Sequence, residues 1–266
     1  MLIDSHCHLE SFYKDGTLNA VLERAQAAGV VRMITVGTSD ADWNLYRSLA
    51  QTHPGRIFYT VGLHPGEVNE DWERSVQQIE SFWASDVRPV ALGEVGLDFN
   101  FLPEDATAAE AIKKHQQAAF AAQLEIAGRQ DCPVVVHSRG AFEECLSMLQ
   151  KSAVKSERVI FHCFVEGVAE VERVLDAGMW ASFTGILTYK NAQSVRDAAQ
   201  AVGPERMIIE TDSPYLTPVP FRGKTNEPAY VSYVAHAASE LFGMDEIALR
   251  EKIWKTTCRV YRLPVD

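Results

Sequence analysis

Eight short apolar runs, each followed by a longer stretch with helical character, constrain this chain more than any other feature. The runs are Leu2–His6, Val31–Val36, Ile57–Gly62, Val90–Glu94, Val134–His137, Val159–His162, Met179–Phe183 and Met207–Thr211. Several are almost continuously apolar, as parallel strands are when both faces of the sheet are covered. Helical patterns fill the gaps. One runs from Thr17 to Ala28 and stops at Gly29; a second is capped by Ser39 or Asp40 and reaches Leu49; Ala106–Gln130 is the longest. Others fall near Ala141–Lys151, Val168–Asp176, Ala192–Ala201, Tyr230–Phe242 and Asp245–Tyr261. Eight such units fit an α/β fold of the (β/α)8 TIM-barrel type, which takes about 250 residues, close to the 266 present here. An open doubly wound sheet repeats the same unit and is the alternative. No linker, low-complexity stretch or close repeat divides the chain, so residues 1–266 read as one domain.

Composition excludes several classes. No apolar run approaches the roughly 20 residues of a membrane helix. The start, Met-Leu-Ile-Asp-Ser-His, lacks the charged-then-apolar pattern of a signal peptide, so a cytoplasmic location without membrane association is expected. The five cysteines are odd in number and none is spaced Cys-x-x-Cys, which argues for buried free thiols over a disulfide framework or zinc finger. A net charge of −11 argues against coating long nucleic acid, although it leaves room for an enzyme gripping one or two phosphates. No protein partner is evident, and a monomer is expected.

The placement of polar residues at the ends of the apolar runs points to chemistry. His6 and His8 end the first run, His64 follows the third, Glu94 ends the fourth, His137 the fifth and His162 the sixth; Asp212 follows the eighth. In a parallel barrel these ends gather at one mouth. Side chains at i and i+2 share a face of a strand, so His6 and His8 can reach one cation. Glu94 has two oxygens and can bridge two cations, with His137 and His162 on the second. Asp212 can ligate the first and also take a proton from water. Such nitrogen and oxygen donors suit zinc and manganese, with magnesium possible. His64 lacks an obvious ligand vacancy and reads as a substrate or phosphate contact. Asp4 and Glu210 each lie two residues before a ligand candidate and read as supporting or structural groups. His53, His115 and His236 sit in a turn or on helices and are assigned no chemical role.

After Asp212 a proline-rich loop carries Arg222 and Lys224 around Gly223. Loops after the seventh and eighth strands often form the phosphate site of such barrels. Arg139, just past His137, adds a third cation suited to phosphate. Tyr215 and Phe221 on the same loop can stack on a base or pack the loop down.

These motifs resemble those of the TatD family of metal-dependent deoxyribonucleases. The matching stretches are Asp4-Ser5-His6-Cys7-His8, Gly62-Leu63-His64-Pro65, Gly93-Glu94-Val95-Gly96-Leu97-Asp98, Val136-His137-Ser138-Arg139, Phe161-His162-Cys163-Phe164, Glu210-Thr211-Asp212-Ser213-Pro214-Tyr215 and Arg222-Gly223-Lys224-Thr225-Asn226-Glu227-Pro228. The resemblance implies an amidohydrolase-like barrel with an extra C-terminal helix and one or two divalent metals. It implies His6, His8, Glu94, His137, His162 and Asp212 as ligands, with Glu94 shared, and hydrolysis of DNA phosphodiesters, often from the 3′ end. Glu94 and Asp212 are the expected catalytic residues; His64, Arg139, Arg222 and Lys224 are the expected substrate contacts. DNA ends or single strands are thus the expected substrate. Two other readings stay open: the same site acting on a small amide, lactone or phosphoester, since fold does not fix function, and a non-catalytic metal-binding protein.

Overall fold

The computed structural model describes residues 1–265 and arranges eight strands in chain order. They are β1 (Leu2–Cys7), β2 (Val30–Thr35), β3 (Ile57–Val61), β4 (Ala91–Asp98), β5 (Val134–Arg139), β6 (Val159–Phe161), β7 (Trp180–Phe183) and β8 (Ile208–Ile209). Every neighbouring pair is parallel. A Cys7–Ser213 bridge joins the segment after β8 back to β1, so the sheet is a nearly closed barrel and the open-sheet alternative is set aside. Asp266, the last residue of the expected 1–266 domain, lies outside the described residues.

Helices fill the crossovers: α1 (Glu10–Lys14), α2 (Leu18–Ala27), α3 (Trp43–Thr52), α4 (Trp72–Trp83), α5 (Ala106–Gln130), α6 (Phe142–Lys151), α7 (Val168–Asp176) and α8 (Gln193–Val202), with α9 (Val231–Phe242) and α10 (Glu246–Tyr261) after β8. Two of these, α1 and α4, have no counterpart in the helices read from sequence. The signal for α4 was present: Val76, Ile79 and Phe82 recur at helical spacing and are its buried face. A five-residue helix such as α1 is too short for periodicity to reveal. The expected start of α3 at Ser39 or Asp40 is also corrected. Its N-cap is Asp42, whose carboxylate turns back to accept the Thr38 amide at 2.9 Å and the Thr38 hydroxyl at 2.6 Å.

Two apolar layers organise the interior. The larger lies between strands and helices. The second joins Ile3, Ala91, Val135, Ile160, Trp180 and Ile208, each the first or second residue of its strand, to Trp254, Cys258 and Tyr261 of α10. The C-terminal helix therefore covers the amino end of the barrel and leaves the carboxyl end for polar residues. Among the described residues, no helix is long and apolar enough to cross a membrane.

Candidate metal centre

The closure of the barrel sets the first half of the site. The Asp212 amide donates to the His6 carbonyl at 2.9 Å, and the His8 amide donates to the Ser213 carbonyl at 2.7 Å. These bonds hold Asp212 Oδ1 at 3.6 Å from His6 Nε2 and 3.4 Å from His8 Nε2. His8 Nδ1 lies 3.1 Å from the Val36 carbonyl, which can only accept, so Nδ1 carries a proton and the Nε2 lone pair faces the cluster. Cys7 turns its thiol away, toward the Ile34 carbonyl. Asp4 does not face the cluster. It accepts the Thr211 amide and hydroxyl at 2.8 and 2.6 Å and so fixes the residue before Asp212; burial pushes its carboxyl up to about 8.

Glu94 sets the second half. It lies in the middle of β4 and not at its end, because the strand continues to Asp98. Its Oε1 is 2.7 Å from His137 Nδ1, 2.7 Å from His162 Nε2 and 3.4 Å from His64 Nε2. Its Oε2 is 3.4 Å from His6 Nε2 and 4.0 Å from His8 Nε2. One carboxylate thus faces two sets of imidazoles with its two oxygens. The ligand atoms of His6, His8 and Asp212 lie within 4.8 Å of one another, as do those of His6, Glu94 and His162, and those of His64, Glu94 and His137.

Residues behind the cluster aim the rings. Asp98 Oδ2 approaches His137 Nε2 at 3.1 Å and leaves Nδ1 facing Glu94. Glu210 Oε1 accepts the Cys163 amide at 2.7 Å and stands 3.3 Å from His162 Nδ1, while its Oε2 accepts the Ser182 hydroxyl at 2.6 Å. The Glu210–His162 approach is a charge contact and not an aligned hydrogen bond, since His162 Nδ1 has no hydrogen-bond partner. Gly96 makes the crossing of β4 and β5 possible: its φ is +143°, and a Cβ there would stand 2.0 Å from the His137 carbonyl oxygen.

His64 is different from the other imidazoles. Its Nδ1 accepts the Gly66 amide at 3.0 Å, which puts the neutral ring's proton on Nε2. Distance alone would admit His64 to a ligand set with Glu94 and His137, but Nε2 is a donor in this tautomer. The ring is therefore suited to donating to a substrate oxygen.

The electrostatics fit a cation. Burial alone would raise Glu94 and Asp212, yet His162, His64 and His137 hold Glu94 well below the usual carboxylate range, and His8 and His6 lower Asp212. Burial opposes charge on the imidazoles too. Asp212 outweighs it at His8, Asp98 and Glu94 at His137, and Glu94 with Glu210 at His162, so all three are raised. Burial lowers His6, and His162 adds to that. The two carboxylates are ionised in a desolvated site and call for positive charge, which a bound metal would supply.

The six expected ligands thus come together. The three expected cationic contacts do not touch them. The Arg139 guanidinium lies over the Phe101 ring at 5.0 Å, that of Arg222 over Tyr189 at 3.8 Å, and Lys224 Nζ over Phe221 at 5.6 Å. None of the three forms an ion pair among the described residues. Phe221 packs the loop down, stacked on Tyr230 at 4.6 Å, whereas Tyr215 stays exposed beside His8. Asp98 and Asn226 occur in the motif stretches, but the strand-end pattern assigns neither a role. Asp98 was findable: it lies four residues after Glu94, which on a strand means the same face. Asn226 is fully buried and ties the loop to the Thr211 carbonyl at 2.9 Å, a contact that pattern does not announce.

The sequence model of the TatD related DNase family matches residues 3–262. The chain belongs to the TatD family. This places it among metal-dependent hydrolases. It is 37% identical over 267 residues to the uncharacterized metal-dependent hydrolase YcfH of Escherichia coli K12, covering 98% of this chain and 95% of that one. It is 31% identical over 248 residues to the 3′-5′ ssDNA/RNA exonuclease TatD of Erwinia tasmaniensis, covering 91% and 93%. The solved structure of YjjV, a TatD homologue from Escherichia coli K12, superposes with a TM-score of 0.89 at 26% identity, covering 99% of this chain and 98% of that one. The barrel, the carboxyl-end cluster and the TatD motifs therefore agree.

Proposed function

We propose that this TatD-family protein is a two-cation phosphodiesterase that shortens single-stranded DNA from its 3′ end. The observation that carries the reading is Glu94, whose two oxygens face His137 and His162 on one side and His6 on the other. In this reading His6, His8 and Asp212 would hold one cation, His137 and His162 the other, and Glu94 would serve both; zinc or manganese suits these donors, with magnesium possible. Bound cations would make water nucleophilic at neutral pH and offset charge on the phosphoryl oxygens. Asp212 accepts the proton that water loses as its oxygen bonds to phosphorus; the bond from phosphorus to the 3′ oxygen of the preceding nucleotide breaks, and that oxygen takes a proton back to leave as the new 3′-hydroxyl. His64 Nε2–H, 3.2 Å from His137 Nδ1 and 3.4 Å from Glu94 Oε1, donates to the phosphoryl group when substrate is bound. Arg139, Arg222 and Lys224 form no ion pair among the described residues and bind flanking phosphates. The name of the Erwinia relative supports the direction of cleavage and the single strand.

The test is to reconstitute the protein with each metal and incubate it with 5′-labelled single- and double-stranded DNA and RNA, with and without chelator. A ladder of single-stranded products shortening one nucleotide at a time, abolished by chelator, is expected. Intact oligonucleotides together with turnover on a lactone, amide or small phosphoester panel would overturn the reading in favour of a small-molecule hydrolase.

A further inference from the structure

The nuclease reading leaves open what holds the end of a strand against the cluster, and one exposed aromatic answers it. Tyr215 is 63% exposed, and its ring centroid is 6.3 Å from that of His8 at an interplanar angle of 66°. Isolated exposed aromatics are ordinary on protein surfaces, but this one is clamped. Its amide donates to the Asp212 carbonyl at 2.9 Å, and its carbonyl accepts the buried Asn226 side chain at 2.5 Å. The backbone that carries the ring is thus tied to a residue of the cluster on one side and to a buried amide on the other. Phe221 is stacked on Tyr230 and Tyr189 lies under Arg222; Phe101 is 77% exposed but lies under Arg139, and it lacks the ring contact that Tyr215 makes with His8.

We propose that the Tyr215 ring is the platform on which the terminal base of a single-stranded substrate stacks while its phosphodiester sits at the cluster. The assignment rests on the nuclease reading above. An aromatic face whose backbone is fixed beside the reacting phosphate binds any base, because every base has a π face, and it rewards an unpaired end over a duplex end whose base is already stacked.

The test compares oligonucleotides that end in thymidine with otherwise identical ones that end in an abasic residue. Wild type, Tyr215→Phe and Tyr215→Ala are assayed after their metal content is shown to be equal. Wild type and Tyr215→Phe should favour the thymidine end by roughly tenfold in KM, with kcat little changed. Tyr215→Ala should lose that preference and match wild type on the abasic substrate. Equal losses on both substrates, or no terminal-base preference in wild type, would overturn the role of Tyr215 and leave the nuclease reading standing. A protein that degrades neither oligonucleotide would overturn the nuclease reading, and the platform with it.

Discussion

Glu210 Oε1 stands 3.3 Å from His162 Nδ1, across the ring from Glu94 Oε1, which is 2.7 Å from Nε2. The Glu210 carboxylate behind the ring raises the basicity of His162. Glu210→Gln keeps the shape and the acceptor for the Cys163 amide but removes the charge. Metal affinity, measured by competition with a chelating dye, should fall by roughly 10- to 100-fold. An unchanged affinity would make Glu210 a purely structural acid.

His64 and His162 should separate in a metal-content measurement. The Gly66 amide leaves His64 with Nε2 as a donor, so His64→Ala should keep its full complement of metal and lose turnover by roughly 100-fold or more. His162→Ala should lose one cation. Loss of metal from His64→Ala would show that the ring is a ligand and that the tautomer assigned from the Gly66 contact is reversed.

A pH effect on stability comes from Asp42, which also feels the charge of His8. Burial raises its carboxyl from 3.8 to about 6, although Thr38 and Ser39 donate to it. The folded state therefore holds a proton that the unfolded state has released. The stability this contributes is complete below about 4 and is lost as pH rises through about 6, to a total of roughly 3 kcal/mol. In urea titrations of wild type and Asp42→Asn, the stability difference between them should move against wild type across that window and then level off. A difference that is constant with pH would mean Asp42 is ionised throughout.

The barrel was legible because its strands are nearly continuous apolar runs and its polar residues fall at their ends. His6, His8, His137, His162 and Asp212 all lie within two residues of an expected strand end, and they converge as a parallel barrel requires. Glu94 was found for a reason that needed correction. It lies mid-strand, and its role depends on β4 running on to Asp98. Asp98 shares a strand face with Glu94, which is a local signal, whereas Asn226 acts through a long-range contact to the Thr211 carbonyl that has no local signature. The cations were assigned to the right end of the barrel, but their resting places over Phe101, Tyr189 and Phe221 depend on how three separate loops pack.

The proposed function turns on Glu94 being shared between two cations. Calorimetric titration of chelator-stripped protein with manganese or zinc tests it most directly, with wild type and Glu94→Ala compared side by side. Wild type should bind two cations per chain, and Glu94→Ala should lose one outright and hold the other weakly. Two tight cations in Glu94→Ala, or a single one in wild type, would contradict it.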